Sequence, residues 1–270
     1  MKTILLLCSI LAVAITSTAQ VKERSIVIST NLGDIKCRLY NDTPLHRDKF
    51  LQEAAKEYYN GTLFYRVIKN FMIQGGSKGT KNAKPGQRIG YGDPDFTVSD
   101  EILPNHIHKK GALCAPRQPD AINPFKQSDI SQFFIIQGKV YRPGELDTME
   151  LARNLPLQKE IQQRLMTPQI SAQLQKLKEE KKVEEFRAIA NPIKEQMEAE
   201  MRLHPERLKF TPEQRKAFTT IGGYPDLDGK YTIFGEVISG FEVIDKIANL
   251  KTDANNRPLI DVRLNVKVLK

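Results

Sequence analysis

The chain is poor in the residues that hold metals and cross-links: among 270 residues there are three cysteines and four histidines. No Cys-x-x-Cys pair occurs, and the only clustered imidazoles are His106 and His108, so the sequence is read as having no metal site and His106-Ile107-His108 as a surface loop. No nucleophile stands in a recognisable base-activated motif, which argues against a hydrolase. There is no repeat and no low-complexity tract. The net charge of +9 is spread without a dense basic stripe, so nucleic acid is not expected as a partner.

Long apolar runs are also missing, with one exception at the start. Lys2 supplies a positive n-region, Ile4 to Ile15 an apolar stretch of about a dozen residues, and Ser17-Thr18-Ala19 a small-residue cleavage site. That stretch falls short of the roughly 20 residues needed to span a bilayer, so residues 1–19 are read as a cleaved signal peptide rather than an anchor. The expectation is an exported protein, periplasmic or secreted, with no stable membrane insertion after cleavage. Cys37 and Cys114 then remain, and in an oxidising compartment they either bridge or serve as two small buried hydrophobes.

What the chain does have is strand alternation. Ile26 and Ile28 share a face, Asn31-Leu32-Gly33-Asp34 reads as a turn, and Ile35, Cys37 and Leu39 share a face again, which makes a β-hairpin. Thr43-Pro44 reads as an N-cap with a first-turn proline, followed by an apolar stripe at Phe50, Leu51, Ala54 and Ala55. Short apolar runs at 64–73, 111–115, 133–140 and 231–237 suggest a β-rich closed sheet. A last strand alternates Ile260, Val262, Leu264, Val266 and Val268 inward with Asp261, Arg263, Asn265 and Lys267 outward.

Between about 142 and 220 the composition shifts to Gln, Glu, Lys and Leu at helical spacing, with mixed-sign charge. Thr167-Pro168, Asn191-Pro192 and the capping-box string Thr211-Pro212-Glu213-Gln214 each read as a helix start. This helical block interrupts the β pattern.

The string from Phe64 to Gly76, FYRVIKNFMIQGG, sets one guanidinium among apolar residues, with an amide and two glycines close by. It resembles the signature of the cyclophilins, the peptidyl-prolyl cis-trans isomerases, almost position for position. Three further segments agree in order: Gly111-Ala112-Leu113-Cys114-Ala115, Ser131-Gln132-Phe133-Phe134-Ile135, and the 227–235 stretch LDGKYTIFG. The resemblance covers residues 25–141 and 221–270, and is to an exported bacterial type carrying a helical insertion. It implies a closed antiparallel barrel of about eight strands capped by two helices, one starting at Thr43-Pro44 and one spanning Phe241 to Ile247.

By that resemblance Arg66 is the catalytic residue. Phe71, Met72, Phe134 and Leu227 form the proline pocket, Gln74 bonds the substrate backbone, and the backbone of Arg117 holds the residue before the proline. Pro116, Gln132 and Tyr231 complete the substrate-binding set. The implied function is isomerisation of X-Pro bonds in exported proteins, assisting their folding, with proline-containing polypeptides as partners and no cofactor. A non-catalytic module that holds proline-containing peptides as a chaperone or scaffold is the alternative. The sequence departs from the family where Asp226 replaces an aromatic or histidine at the groove edge, Pro116-Arg117 replaces Ala-Asn, and Tyr65 and Tyr231 each replace a frequent histidine. The inserted block reads as a lid, a platform for a protein partner or, preferably, a packing brace.

Overall fold

The computed structural model describes residues 24–269 apart from 85–86, 88 and 91–95. The expected signal peptide therefore lies outside the described residues. Strands β1 (Arg24–Thr30) and β2 (Gly33–Leu39) form the expected hairpin in an unbroken register from Arg24↔Leu39 to Thr30↔Gly33. Gly33 sits at φ +130, a conformation open to glycine, which lets the turn close. Helix α1 (Pro44–Ala55) starts after Thr43 with its proline in the first turn. Its Phe50 and Ala54 are buried, Leu51 is half-buried, and Ala55, expected on the same face, is exposed.

Strands β3 (Thr62–Ile68) and β4 (Met72–Gly75) carry the diagnostic string. Simple alternation fails there for two visible reasons. A bulge lies between Phe64 and Arg66, and Asn70 turns the chain at φ 62, where asparagine is tolerated. A minor pair, β5 (Thr97–Val98) with β7 (Ser128–Asp129), stands apart from the main sheet, to which β6 (Ala112–Cys114) and β8 (Phe133–Ile136) belong.

The insertion follows as α2 (Pro143–Leu165), α3 (Pro168–Glu179), α4 (Val183–Leu203) and α5 (Pro212–Thr220). Thr167 caps α3 by accepting from the Ile170 amide, and Thr211 and Gln214 form the expected capping box. Asn191-Pro192 is a correction: it starts no helix, because Pro192 lies inside α4. Proline removes one helical donor, but at an exposed position water satisfies the freed carbonyl, and the half-buried stripe of Phe186, Ile193, Met197 and Met201 runs on past it.

The chain then returns through β9 (Ile233–Ser239), α6 (Phe241–Ala248) and β10 (Arg263–Leu269). The eight longer-range strands close into an antiparallel barrel in the order β1-β10-β3-β4-β8-β6-β9-β2. Val262, Leu264 and Val266 face inward as expected, but Ile260 is 66% exposed, since β10 begins only at Arg263. The core joins the strands' inward residues to Phe50 and Ala54 of α1 and to Val243, Ile244, Ile247 and Ala248 of α6, so both helices close over the barrel interior. Cys37 and Cys114 are free and fully buried, and burial pushes both thiols well above their usual range. They are packing residues, not a bridge.

The insertion is attached by backbone. Lys139 and Gly223 exchange amide hydrogen bonds of 3.1 and 3.0 Å, and the His108 carbonyl accepts from Tyr224 at 2.8 Å, so three chain segments cross here in contact. A Cβ on Gly223 would lie 2.4 Å from the His108 oxygen, which is why glycine is required. Tyr141, Leu146, Phe210 and Phe218 form a small core of their own at the base of α2 and α5, while α3 and α4 pack on one another and α4 packs on α2.

Candidate active site

Sheet register decides what stands together on the barrel wall. Gln74 pairs with Arg66 on one side and Phe134 on the other, and Phe134 pairs with Cys114 of the next strand. Residues directly opposite in neighbouring strands point the same way, so Arg66, Gln74 and Phe134 form a row, and Met72 joins Gln74's face by the two-residue strand period. Phe71 follows from the turn before β4. Leu227 comes from a 3-10 turn, Pro225–Leu227, and Tyr231 from the chain leading into β9.

These residues and the Pro116-Arg117 pair line one cavity of about 150 Å3. Its apolar floor is Met72 and Phe134, both buried, with Phe71 and Leu227 half-buried at the walls. Tyr231 stands edge-on to Phe134 with centroids 5.8 Å apart. The guanidinium of Arg117 lies 5.0 Å from the Tyr231 ring centre, and its Nε donates to the Lys230 carbonyl at 2.7 Å. Nη1 also donates to Asp120 at 2.5 Å, so this side chain is fixed as a wall over the ring.

Arg66 is partly buried, and its Nη1 donates to Gln74 Oε1 at 3.3 Å. Gln74 in turn is held from behind: its Nε2 donates to the Tyr65 hydroxyl at 2.7 Å and to Gln132 Oε1 at 3.2 Å. Tyr65 donates to the same Gln132 oxygen, and Gln132 Nε2 donates to Asp129 Oδ2 at 2.8 Å. Burial pushes the Tyr65 phenol up, so it stays protonated and able to donate. Gln132 is thus the one expected substrate contact that does not line the cavity; it is buried, and its amide is committed to Tyr65, Gln74 and Asp129.

Two supports stand outside the site residues expected from the sequence. Tyr224 packs at a 37° tilt against Phe71 with centroids 4.3 Å apart and backs that wall. Asp228 Oδ1 accepts from the His108 amide at 2.7 Å and meets His108 Nδ1 at 2.8 Å, pinning the turn that presents Leu227. His108 is buried, which corrects its reading as a surface residue; His106 is half-buried, stacked on Tyr40 at 4.1 Å and bonded to Asp42 at 2.9 Å. Residues 106 and 108 alternate between two different packing partners, so their spacing never made one cluster. Among the described residues there is no group of three or more side chains that could hold a metal, and no helix is long and apolar enough to cross a membrane.

A family model for cyclophilin type peptidyl-prolyl cis-trans isomerases matches residues 25–152 and 214–268, leaving out most of the helical insertion. Among similar proteins, one from Staphylococcus saprophyticus named for peptidyl-prolyl cis-trans isomerase activity is 27% identical over 246 residues, covering 90% of each chain. Peptidyl-prolyl cis-trans isomerase CYP18-1 of Arabidopsis thaliana is 28% identical, covering 89% of this chain and 92% of its own. A crystal structure of a cyclophilin type isomerase of Cryptosporidium parvum shares the fold with TM-score 0.52 at 19% identity, covering 92% of this chain and 99% of that one. A second structure of that protein, in the presence of the dipeptide Ala-Pro, aligns with TM-score 0.50.

Proposed function

We propose that this chain, which belongs to the cyclophilin type peptidyl-prolyl cis-trans isomerase family, applies its isomerase activity to exported polypeptides and so assists their folding. The activity is rotation about X-Pro peptide bonds. That rotation faces a barrier of about 18–20 kcal/mol, because the nitrogen shares its lone pair with the carbonyl. Twisting the bond makes the prolyl nitrogen pyramidal and returns the lone pair to it.

In this reading Arg66 aims a guanidinium donor at that nitrogen. The hydrogen bond is then stronger in the twisted state than in either planar ground state, which is the condition for catalysis. The observation that carries it is Arg66, steadied by Gln74, on the wall of an apolar cavity of about 150 Å3, a size suited to a single pyrrolidine ring. A solved relative was crystallised with Ala-Pro, and we place the proline of such a segment on Met72 and Phe134, walled by Phe71 and Leu227. Gln74 and the backbone at Pro116-Arg117 hold the flanking chain, and Tyr231 closes the side. Gln132 acts from behind, by fixing Gln74.

Export rests on the leader at residues 1–19. The test is to express the full chain in a bacterial host, sequence the N-terminus of the mature protein, and add the purified protein to the proline-limited refolding of an exported protein. Cleavage near Gln20, recovery outside the cytoplasm and a faster slow phase are expected. An intact leader on cytoplasmic protein would refute export, and an unchanged slow phase would refute the folding role.

A further inference from the structure

A second cavity, larger than the proline site, measures about 760 Å3 and opens between the first turns of α2 and the 3-10 turn that carries Leu227. Tyr141, Met149 and Tyr224 supply its apolar surface. Lys139, Arg142, Glu145 and Asp226 stand at its rim, two charges of each sign. Lys139 is paired with Glu145 at 3.0 Å and lies 4.6 Å from the Tyr141 ring centre, so its charge is already compensated. Burial, with Asp226 nearby, pushes the Tyr141 hydroxyl up to about 12, so it remains a donor. Such a site, two rings and a thioether under a charge-balanced rim, suits an aromatic or large aliphatic side chain rather than an ion.

Its position identifies what fills it. Tyr224 lines this cavity and packs against Phe71, which lines the proline cavity; Asp226 lines this one and its neighbour Leu227 the other. The two cavities share a wall. If the backbone of Arg117 holds the residue before the proline, as the family resemblance implies, the chain after the proline leaves past Phe71 and Leu227, toward Tyr224 and Asp226. We infer that the base of the helical insertion builds an added substrate subsite, in which Tyr141, Met149 and Tyr224 take an aromatic or large aliphatic residue a few positions after the isomerised proline. The insertion thereby selects among proline-containing segments, and the inference rests on the isomerase reading of the neighbouring cavity.

The experiment compares kcat/KM, by exchange NMR, for Ala-Pro peptides followed only by glycines and for the same peptides with one Phe placed at each of the four positions after the proline. Wild-type protein is expected to favour one register by about tenfold, the scale of one apolar pocket. Gly144→Trp fills the cavity mouth without strain, since a Cβ there meets nothing within 4 Å and the backbone is not left-handed. Thr148→Trp, exposed one turn further along α2 and also lining the cavity, is a second occluder. Each should abolish the preference while leaving turnover of the all-glycine peptide unchanged. A wild type without register preference, or a preference that survives both variants, overturns the subsite. Failure of wild type on the all-glycine peptide as well would overturn the isomerase reading beneath it, a distinct result.

Discussion

Replacing Arg66 by alanine removes one donor, and its cost can be worked out from the site. A hydrogen bond from a charged group contributes about 1.5–3 kcal/mol, and each tenfold in rate corresponds to about 1.4 kcal/mol, so kcat/KM should fall by roughly 10- to 150-fold. Because the bond matures only as the prolyl nitrogen becomes pyramidal, the loss should fall in kcat with KM nearly unchanged. The fold should tolerate the change, since Arg66 is only partly buried and its hydrogen bond is to Gln74, which Tyr65 and Gln132 hold independently. Arg66→Lys keeps the charge but loses the planar fork, and should recover only part of the rate. Exchange NMR on an Ala-Pro peptide, with circular dichroism to check folding, reads all three proteins. A folded Arg66→Ala protein that loses less than about threefold, or whose loss lies wholly in KM, would refute the assignment.

Three further outcomes follow from the packing and the charges. Phe218 is fully buried against Tyr141 and Phe210, so Phe218→Ala should cost about 3–5 kcal/mol in guanidinium unfolding, whereas a loss under about 1 kcal/mol would mean the insertion's core is not coupled to the fold. Cys37 and Cys114 should stay unlabelled by a thiol reagent in the native protein and both react once it is unfolded; labelling within seconds of mixing would contradict their burial. The Arg142 amide and then Lys139 hold the Glu145 carboxyl down to about 2, while at Glu150 burial opposes the shift but hydrogen bonds from Lys209, Phe210 and Arg215 outweigh it. Both folded values lie below the unfolded one, so their stabilisation is present above about pH 4.5 and lost as pH falls toward 2. Limited proteolysis should cut the insertion progressively faster over that window, and a flat profile would refute the linkage.

Whereas the eight-stranded barrel came from the family resemblance, the first hairpin and the last strand were legible because they alternate and the hairpin's turn carries Asn and Gly, features that act within a few residues. The Thr167 and Thr211 caps were legible for the same reason. Pro192 misled because a proline marks a helix start only when the preceding residues cannot be helical, and those before it already belong to α4. His108 and Tyr224 were unreadable in another way: their partners, Asp228 and Phe71, are distant in sequence, and only the crossing of three backbones at Gly223 brings them into reach. The cavity residues themselves run from Arg66 to Tyr231, and no local pattern joins them. Only their resemblance to a known arrangement did so, and it added Gln132, which stands behind Gln74 rather than on the cavity wall.

The barrel's seam has a consequence for the order of synthesis. Among the described residues β10 is the last strand, and it pairs along almost its whole length with β1, the first, from Ser25↔Leu269 to Thr30↔Leu264. Until β10 has been made and threaded into place, β1 and β3 each present an open edge that can recruit another chain. A nascent copy is therefore aggregation-prone for the whole time its helices are being translated, and its two open edges are covered only when β10 arrives.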